Sequence, residues 1–214
     1  MSSSCPLCQA PSIQRFCLDF RRGWGYWRCR HCRLSWRDAA QRPTPTRERQ
    51  EYEQHQNDPE DPGYQRFLSR LSEPLLARLP EPAEGLDYGA GPGPAMPGLL
   101  ASGGHRLALY DPFFHPDPTV LQGQYDFIVC SETAEHFHHP RQEFDRLHGL
   151  LRPGGLLALM TGRLDEDARF ARWRYRHDPT HVCFYRQETL EWIGDHYGYE
   201  RVYDEGDVTL SVKT

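Results

Sequence analysis

The sequence predicts an α/β fold, an open and mostly parallel sheet preceded by a small cysteine-bearing module. Three observations predict it. Two C-x2-C pairs stand within the first 32 residues, a glycine-rich turn follows an apolar run at 85–93, and apolar runs of strand length recur at 105–110, 125–131 and 150–159. A chain of 214 residues allows one domain with a small attachment and is ample for a sizeable core. Its mean hydropathy is −0.76, and no apolar run approaches the ~18 residues that span a bilayer, so a soluble chain with no membrane partner is expected. The start, Met1-Ser2-Ser3-Ser4-Cys5, has neither a basic n-region nor an apolar h-region, so it is not a secretory signal and a cytoplasmic protein is expected.

The net charge of −5 argues against whole-surface attraction to nucleic acid, but the charge is uneven. Residues 1–42 hold eight Arg against two Asp, a balance of +6, and the remainder carries −11. Local basic faces therefore remain open to phosphate. Of the 25 basic residues only Lys213 is lysine.

Cys5-Pro6-Leu7-Cys8 and Cys29-Arg30-His31-Cys32 form two knuckles separated by 20 residues. Four thiolates at this spacing close a tetrahedral zinc site, and the metal orders a stretch poor in aliphatic side chains. With every position filled by sulfur, Cys5, Cys8, Cys29 and Cys32 form a structural Zn²⁺ ribbon and not a catalyst. Disulfides and a redox C-x-x-C are the competing readings; the first disagrees with the expected compartment and the second needs no second copy. The ribbon arginines 15, 21, 22, 28, 30, 33 and 37 alternate with Phe16, Phe20, Trp24, Tyr26, Trp27 and Trp36. Two readings stand: an RNA-binding face, or aromatics forming a mini-core beneath solvated arginines. Cys17, Cys130 and Cys183 are left as buried thiols.

Residues 39–63 are polar and proline-bearing and read as linker, with room for one short helix around 47–54. From 64 to 79, Phe67, Leu68, Leu71, Leu75, Leu76 and Leu79 have helical spacing despite Pro74, and the helix should cover one face of the sheet. The division expected is a zinc ribbon at 1–38, a linker at 39–63 and the α/β domain at 64–214. No internal repeat is visible.

At 85–93 the run Gly-Leu-Asp-Tyr-Gly-Ala-Gly-Pro-Gly takes an apolar strand into an acid and then into alternating glycines, a turn that reaches φ > 0 and brings main-chain N–H groups against a ligand. A helix should lead out. The bland reading is a Gly/Pro-rich surface loop. The dinucleotide pattern G-x-G-x-x-G fits worse, because its last glycine would fall on Pro94 or Met96, which puts a nicotinamide or flavin enzyme second. The second strand ends in Asp111, 22 positions after Gly89, where an acid is placed to accept hydrogen bonds from ribose hydroxyls.

These residues resemble motif I and the following acid of the class I S-adenosylmethionine (SAM) dependent methyltransferases. The strand at 125–131 and the Pro153-Gly154-Gly155 break before a further strand resemble later motifs of that family. The likeness covers about residues 83–200. It implies a shortened Rossmann-like class I methyltransferase fold, with SAM bound by Asp87, Gly89, Ala90, Gly91, Gly93 and Asp111. The chain departs from the family in one place: only 14 residues separate Asp111 from Tyr125, too few for the usual helix and third strand. The acid that would hold adenine there has no counterpart.

Directly after the strand ending at Ser131 come Glu132, Glu135 and His136. If the chain turns helical there, i, i+3 and i+4 share one face at the carboxyl end of the sheet, where open α/β sheets bind ligands. Oxygen and nitrogen ligands suit Mg²⁺, Mn²⁺, Fe²⁺ or Zn²⁺, and His181 offers a fourth ligand. Glu-x-x-Glu-His with a later His resembles the small-RNA 2′-O-methyltransferases and the O-methyltransferases of ubiquinone biosynthesis, in which the matching positions bind a divalent ion near the acceptor. That likeness implies a second metal on Glu132, Glu135, His136 and His181, with His136 or His181 also serving as proton acceptor. The competing reading makes the acids solvated first-turn residues favoured by a helix dipole.

Arg169-Phe170-Ala171-Arg172-Trp173-Arg174-Tyr175-Arg176-His177 reads either as a lid over the acceptor pocket or as a plain amphipathic helix. A late helix is expected at 186–197 and final strands at 201–212. The function expected is methyl transfer from SAM (EC 2.1.1.-) to oxygen, on a small molecule or an RNA ribose. The alternative is a non-catalytic SAM-binding regulatory or RNA-binding protein, and no protein partner is inferable.

Overall fold

A computed structural model describes residues 4–54, 57–79 and 81–214. Residues 1–3 of the expected ribbon, 55 and 56 of the expected linker and 80 of the expected α/β domain lie outside the described residues. In chain order the elements are β1 (Ile13–Asp19), β2 (Trp24–Cys29), β3 (Ser35–Arg37), α1 (Pro45–Tyr52), α2 (Pro62–Leu76), β4 (Glu84–Tyr88), α3 (Met96–Ala101) and β5 (Arg106–Tyr110). There follow β6 (Tyr125–Ser131), α4 (Pro140–Leu150), β7 (Leu151–Met160), α5 (Asp167–Phe170), β8 (Cys183–Phe184), α6 (Gln187–Tyr197), β9 (Tyr199–Glu205) and β10 (Val208–Lys213).

Six strands form the main sheet in the order β5-β4-β6-β7-β10-β9. The first four run parallel, while β10 runs antiparallel to both β7 and β9. Side chains alternate with the period of two that strands impose, and both faces are covered. Phe127, Val129, Leu156 and Ala158 meet Leu68, Leu71 and Leu75 of α2. On the other face, Leu86, Ile128, Leu157 and Leu159 meet Phe144 and Leu147 of α4 and Leu190 and Ile193 of α6. The stretch from 112 to 124 contains only a 3-10 turn, Pro118–Gln122, so β5 forms the sheet edge and the fold is shortened as the 14-residue spacing predicts. The Pro-Gly-Gly break differs from expectation. Strand β7 starts at Leu151 and runs through it, because Gly154 takes φ +76° and the register with β6 shifts there by a bulge.

The ribbon is an antiparallel sheet, β1-β2-β3, extended by β8. Ser35 pairs with Phe184 and Trp36 with Cys183, so a strand from late in the chain completes it. Leu7, Leu34 and Trp36 belong to the same buried cluster as the α4 face of the main sheet. Of the two readings of the arginines and aromatics, an RNA-binding face or a mini-core, much of this set serves as a buried docking surface. Arg28 and Arg37 are 1% exposed, Tyr26 packs on Phe170 and Phe184, and Phe16 packs on Phe170. Burial of the rings drew the guanidinium groups in with them: Arg28 Nη1 donates to Asp167 at 2.5 Å, and its guanidinium lies 3.5 Å from the Phe16 ring centroid. Phe20 remains exposed. No helix among the described residues is long and apolar enough to cross a membrane.

Candidate functional site

The sheet reverses its winding at β4, which lies between β5 and β6, so a crevice opens at the carboxyl ends of these strands. A cavity of about 630 Å³ fills it. Its floor includes Gly89, Ala90, Gly91 and Asp111, four of the six residues expected to hold a cofactor; Asp87 and Gly93 are not among its lining residues. The glycines differ in what requires them. At Gly89, φ +89°, a Cβ would come within 2.2 Å of the Thr133 side chain, and at Gly93 it would meet the Asn57 carbonyl oxygen at 1.8 Å. At Gly91, φ +65°, nothing lies nearer than the Asn57 amide at 4.0 Å, so this is the position where main chain is bare toward the cavity. The turn is tied to β5 by the Gly89 and Ala90 N–H groups, which donate to the Tyr110 carbonyl at 2.8 and 3.1 Å.

Asp111 is buried and organises its surroundings through both oxygens. Oδ2 accepts from Gly91 N–H at 3.1 Å, and Oδ1 accepts from Phe113 and Phe114 N–H at 2.8 and 3.0 Å. Three of roughly four acceptor sites are engaged. The same turn presents Phe113 and Phe114 to the cavity. Burial pushes the Asp87 carboxyl up to about 7, and the Asp111 carboxylate adds to the rise.

Glu135, His136 and His181 bring ligand atoms within 4.8 Å of one another. The helix expected to align Glu132 with them does not form. Ala134–His136 is a single 3-10 turn, and Glu132 precedes it at φ +46°, so i, i+3 and i+4 do not share a helical face. The Glu132 carboxyl lies outside the trio; burial, then the Glu135 and Asp207 carboxylates, push it up to about 9. Glu135 has no exposed surface: Oε2 accepts from Thr161 Oγ1 at 2.8 Å, and Oε1 is buried without a hydrogen bond among the described residues. Each imidazole is fixed through Nδ1. His136 Nδ1 faces the Thr180 carbonyl at 3.1 Å and His181 Nδ1 faces the Tyr175 carbonyl at 2.7 Å. Carbonyls only accept, so Nδ1 carries a proton in both rings, which leaves Nε2 as the nitrogen available to a ligand. Burial and then the His136 ring push His181 down to about 4, so it is neutral at neutral pH. Two imidazoles held through Nδ1 and a buried carboxylate oxygen without a hydrogen bond among the described residues fit a divalent cation.

In the ribbon, Cys5 Sγ lies 3.6 Å from Cys32 Sγ and Cys8 Sγ lies 3.4 Å from Cys29 Sγ. A tetrahedron with bonds of ~2.3 Å has edges near ~3.8 Å, so the set fits one ion. The two knuckles repeat each other: Gln9 and Arg33, directly after the second cysteine of each, both take φ +62°. The hydrogen bond from Cys32 holds Cys5 down to about 6 while burial pushes Cys8 up to about 12, so these two thiols do not ionise together unless a cation joins them.

Several cavity residues were missed or misread, Glu48, Tyr52, Arg146 and Tyr175 among them. Glu48 and Tyr52 come from α1, inside the stretch read as linker; Glu48 Oε1 lies 3.0 Å from His138 Nε2, and Tyr52 packs edge-on to His136 at 5.2 Å. The signal was present in Thr44-Pro45, a cap followed by proline, which starts α1. Arg146 of α4, paired with Glu143, lines the far wall. From the expected lid only Tyr175 reaches the cavity, where its hydroxyl accepts from Gly162 N–H at 2.9 Å. Phe170 is buried against the ribbon, and Arg176 pairs with Asp19 at 3.0 Å, both side chains 6% exposed.

The family described as "Methyltransferase domain" matches residues 53–203. The chain belongs to this family. It is an SAM-dependent methyltransferase of the α/β Rossmann-like class I fold, with a cysteine-rich amino-terminal region. No curated protein matches it. Among solved structures, the 1,6-didemethyltoxoflavin-N1-methyltransferase of Burkholderia thailandensis, with bound 1,6-didemethyltoxoflavin and S-adenosylhomocysteine, is 19% identical with a TM-score of 0.53, over 69% of this chain and 78% of that one. The magnesium protoporphyrin IX methyltransferase of Synechocystis, with bound S-adenosylhomocysteine, is 14% identical with a TM-score of 0.51, over 79% and 94%. At these identities the likeness shows the fold.

Proposed function

We propose that the chain transfers the methyl group of SAM to one of two neighbouring hydroxyls on an uncharged small molecule, with a divalent ion on Glu135, His136 and His181. The observation that carries this reading is the Glu135 Oε1 atom, buried without a hydrogen bond among the described residues, in a trio whose ligand atoms lie within 4.8 Å of one another. A carboxylate oxygen left so is costly unless a cation takes it. The reading keeps the likeness to O-methyltransferases of ubiquinone biosynthesis and to small-RNA 2′-O-methyltransferases, with Glu132 beside the ligand set instead of in it. It also keeps structural Zn²⁺ on Cys5, Cys8, Cys29 and Cys32, the division at 38 and 63, and a cytoplasmic location, where thiols stay reduced.

SAM supplies a methyl group already activated by its sulfonium, so the chain's task is chiefly alignment. Asp111 has acceptor capacity left for a ribose hydroxyl, and Gly91 leaves main chain open beside it. Phe113 and Phe114 offer ring faces to adenine in place of the missing acid. Asp87 and Gly93 then support the turn from beneath. A divalent ion when bound lowers the pKa of a hydroxyl and fixes its position. His136 and His181 offer Nε2 to it, and Tyr52, Tyr175 and the ribbon-packed segment around them exclude water.

Charge favours the small molecule over an RNA end. With the Glu132 carboxyl held protonated, the cavity presents Glu48, Asp111, Glu135, Glu143 and Asp178 against one guanidinium, Arg146. A phosphate chain would be repelled from it. The test is transfer of labelled methyl to metabolite pools and to RNA. Wild type should label an uncharged small molecule, and Glu135→Ala should abolish the label with S-adenosylhomocysteine affinity within about threefold of wild type. Unchanged labelling by Glu135→Ala removes the metal, and label confined to RNA removes the choice of acceptor.

A further inference from the structure

The two imidazoles are oriented by carbonyls of one short segment, residues 175–181, and a ribbon side chain grips that segment from behind. Arg37 is 1% exposed at the end of β3. Its Nη1 donates to the Pro179 carbonyl at 2.6 Å and its Nη2 to the Asp178 carbonyl at 3.0 Å. Its backbone N–H donates to the Val182 carbonyl at 2.9 Å, extending the β3–β8 ladder by one step. The guanidinium lies 3.8 Å from the centroid of the Trp24 ring, which covers its face.

The held turn touches both rings. The Asp178 carbonyl that accepts from Arg37 also accepts from His181 N–H at 3.3 Å. One peptide beyond the gripped Pro179 carbonyl, the Thr180 carbonyl faces His136 Nδ1. Val182 N–H donates to the Glu135 carbonyl at 2.8 Å, so the same stretch also sets the third member of the trio.

A planar two-pronged donor spanning consecutive carbonyls fixes the plane of the peptide between them, as a single ammonium cannot. No carboxylate is hydrogen-bonded to this buried guanidinium among the described residues, and its Nε has no partner there. Burying a charge on carbonyl dipoles and one ring face, with no hydrogen-bonded carboxylate, is a poor way to gain stability. We infer that Arg37 of the ribbon is a positioning residue for the site: by clamping the Asp178 and Pro179 carbonyls it holds His136 and His181 with Nδ1 protonated on the Thr180 and Tyr175 carbonyls. The ribbon is then the outer wall of the site as well as a folding scaffold.

This inference takes the trio from the reading above, but its main test does not need a metal. The ¹⁵N shifts of the imidazole nitrogens report which nitrogen carries the proton. In the full-length wild-type chain both rings should show pure Nδ1–H signatures. In Arg37→Met at least His136 should move to a tautomer mixture while zinc content of the ribbon and S-adenosylhomocysteine affinity hold; Arg37→Lys, with one prong, should fall between. Co²⁺ added to the zinc-loaded protein should bind the trio about tenfold more weakly in Arg37→Met, the size expected for an outer partner of a metal ligand. Pure Nδ1–H tautomers for both rings in a folded Arg37→Met chain overturn the proposal. If that variant does not fold, unchanged tautomers in Arg37→Lys overturn it equally. A wild type that takes no Co²⁺ beyond the ribbon defeats the metal reading alone and leaves the tautomer result to decide the role of Arg37.

Discussion

The chain holds two clusters of ligand-type side chains, and they are built in opposite ways. The four ribbon sulfurs come from two knuckles of four residues each, and three of the four cysteines are buried. Glu135, His136 and His181 come from segments about 45 residues apart and line an open cavity. A closed all-thiolate set leaves no position for a substrate and puts its binding energy into folding; an open nitrogen and oxygen set keeps a position free for chemistry. The difference teaches that a cluster of ligand-type side chains takes its role from what surrounds it, and on the inference above the cysteine cluster backs the open one through β3 and Arg37.

The sharpest way to break this comparison is Cys32→Ser. If the ribbon is a folding element, its loss should cost about 5 kcal/mol or more, a fall in Tm of roughly 10–20 °C for a chain of this size. Because β3 pairs with β8 beside His181, the open cluster should lose Co²⁺ binding in the same variant. A Tm within about 2 °C of wild type would separate the two regions and undo the scaffold role.

A smaller effect is expected from Asp87, a buried charge that neither cluster neutralises. Its carboxyl is held at about 7 when folded, against 3.8 for a free carboxyl. The folded chain therefore keeps a proton that the unfolded chain has released, so stability falls as pH rises from about 4 to about 7 and is level above. The whole decline is on the order of 4 kcal/mol. Urea unfolding of Asp87→Asn at pH 5 and pH 8 should show that decline largely removed. An equal slope in variant and wild type would mean that the carboxyl is ionised in the fold.

The smallest change in stability is predicted for metal removal from the open cluster. A mild chelator at neutral pH should strip Glu135, His136 and His181 and lower Tm by less than about 3 °C, while one zinc per chain remains until the thiols are alkylated. Metal analysis after gel filtration checks this. Retention at the open cluster with loss from the cysteines would reverse the assignment of roles.

Much of the fold was legible because its signals are local. The C-x2-C pairs, the strand at Tyr125–Ser131, the glycine turn and the short step from Asp111 to Tyr125 each act over a few residues, and each appears where its spacing put it. The site was legible in part. His181 was found beside Glu135 and His136, but Glu132 was drawn in by an assumed helix that the left-handed backbone at 132 precludes. Glu48 and Tyr52 were missed because α1 has no apolar stripe; it is held by His138 and Arg42, which bonds the His138 carbonyl at 2.5 Å.

From sequence alone, the residue types of both clusters, the glycine turn and the truncated sheet edge were determined, because residue type and short spacing fix which backbone and donor sets are possible. Only the tertiary structure decided which acids face the cavity, which arginines are buried and that the amino-terminal ribbon backs the histidine-bearing segment. Those depend on contacts between residues more than a hundred positions apart, such as Arg37 with Pro179, and no local pattern encodes such a distance.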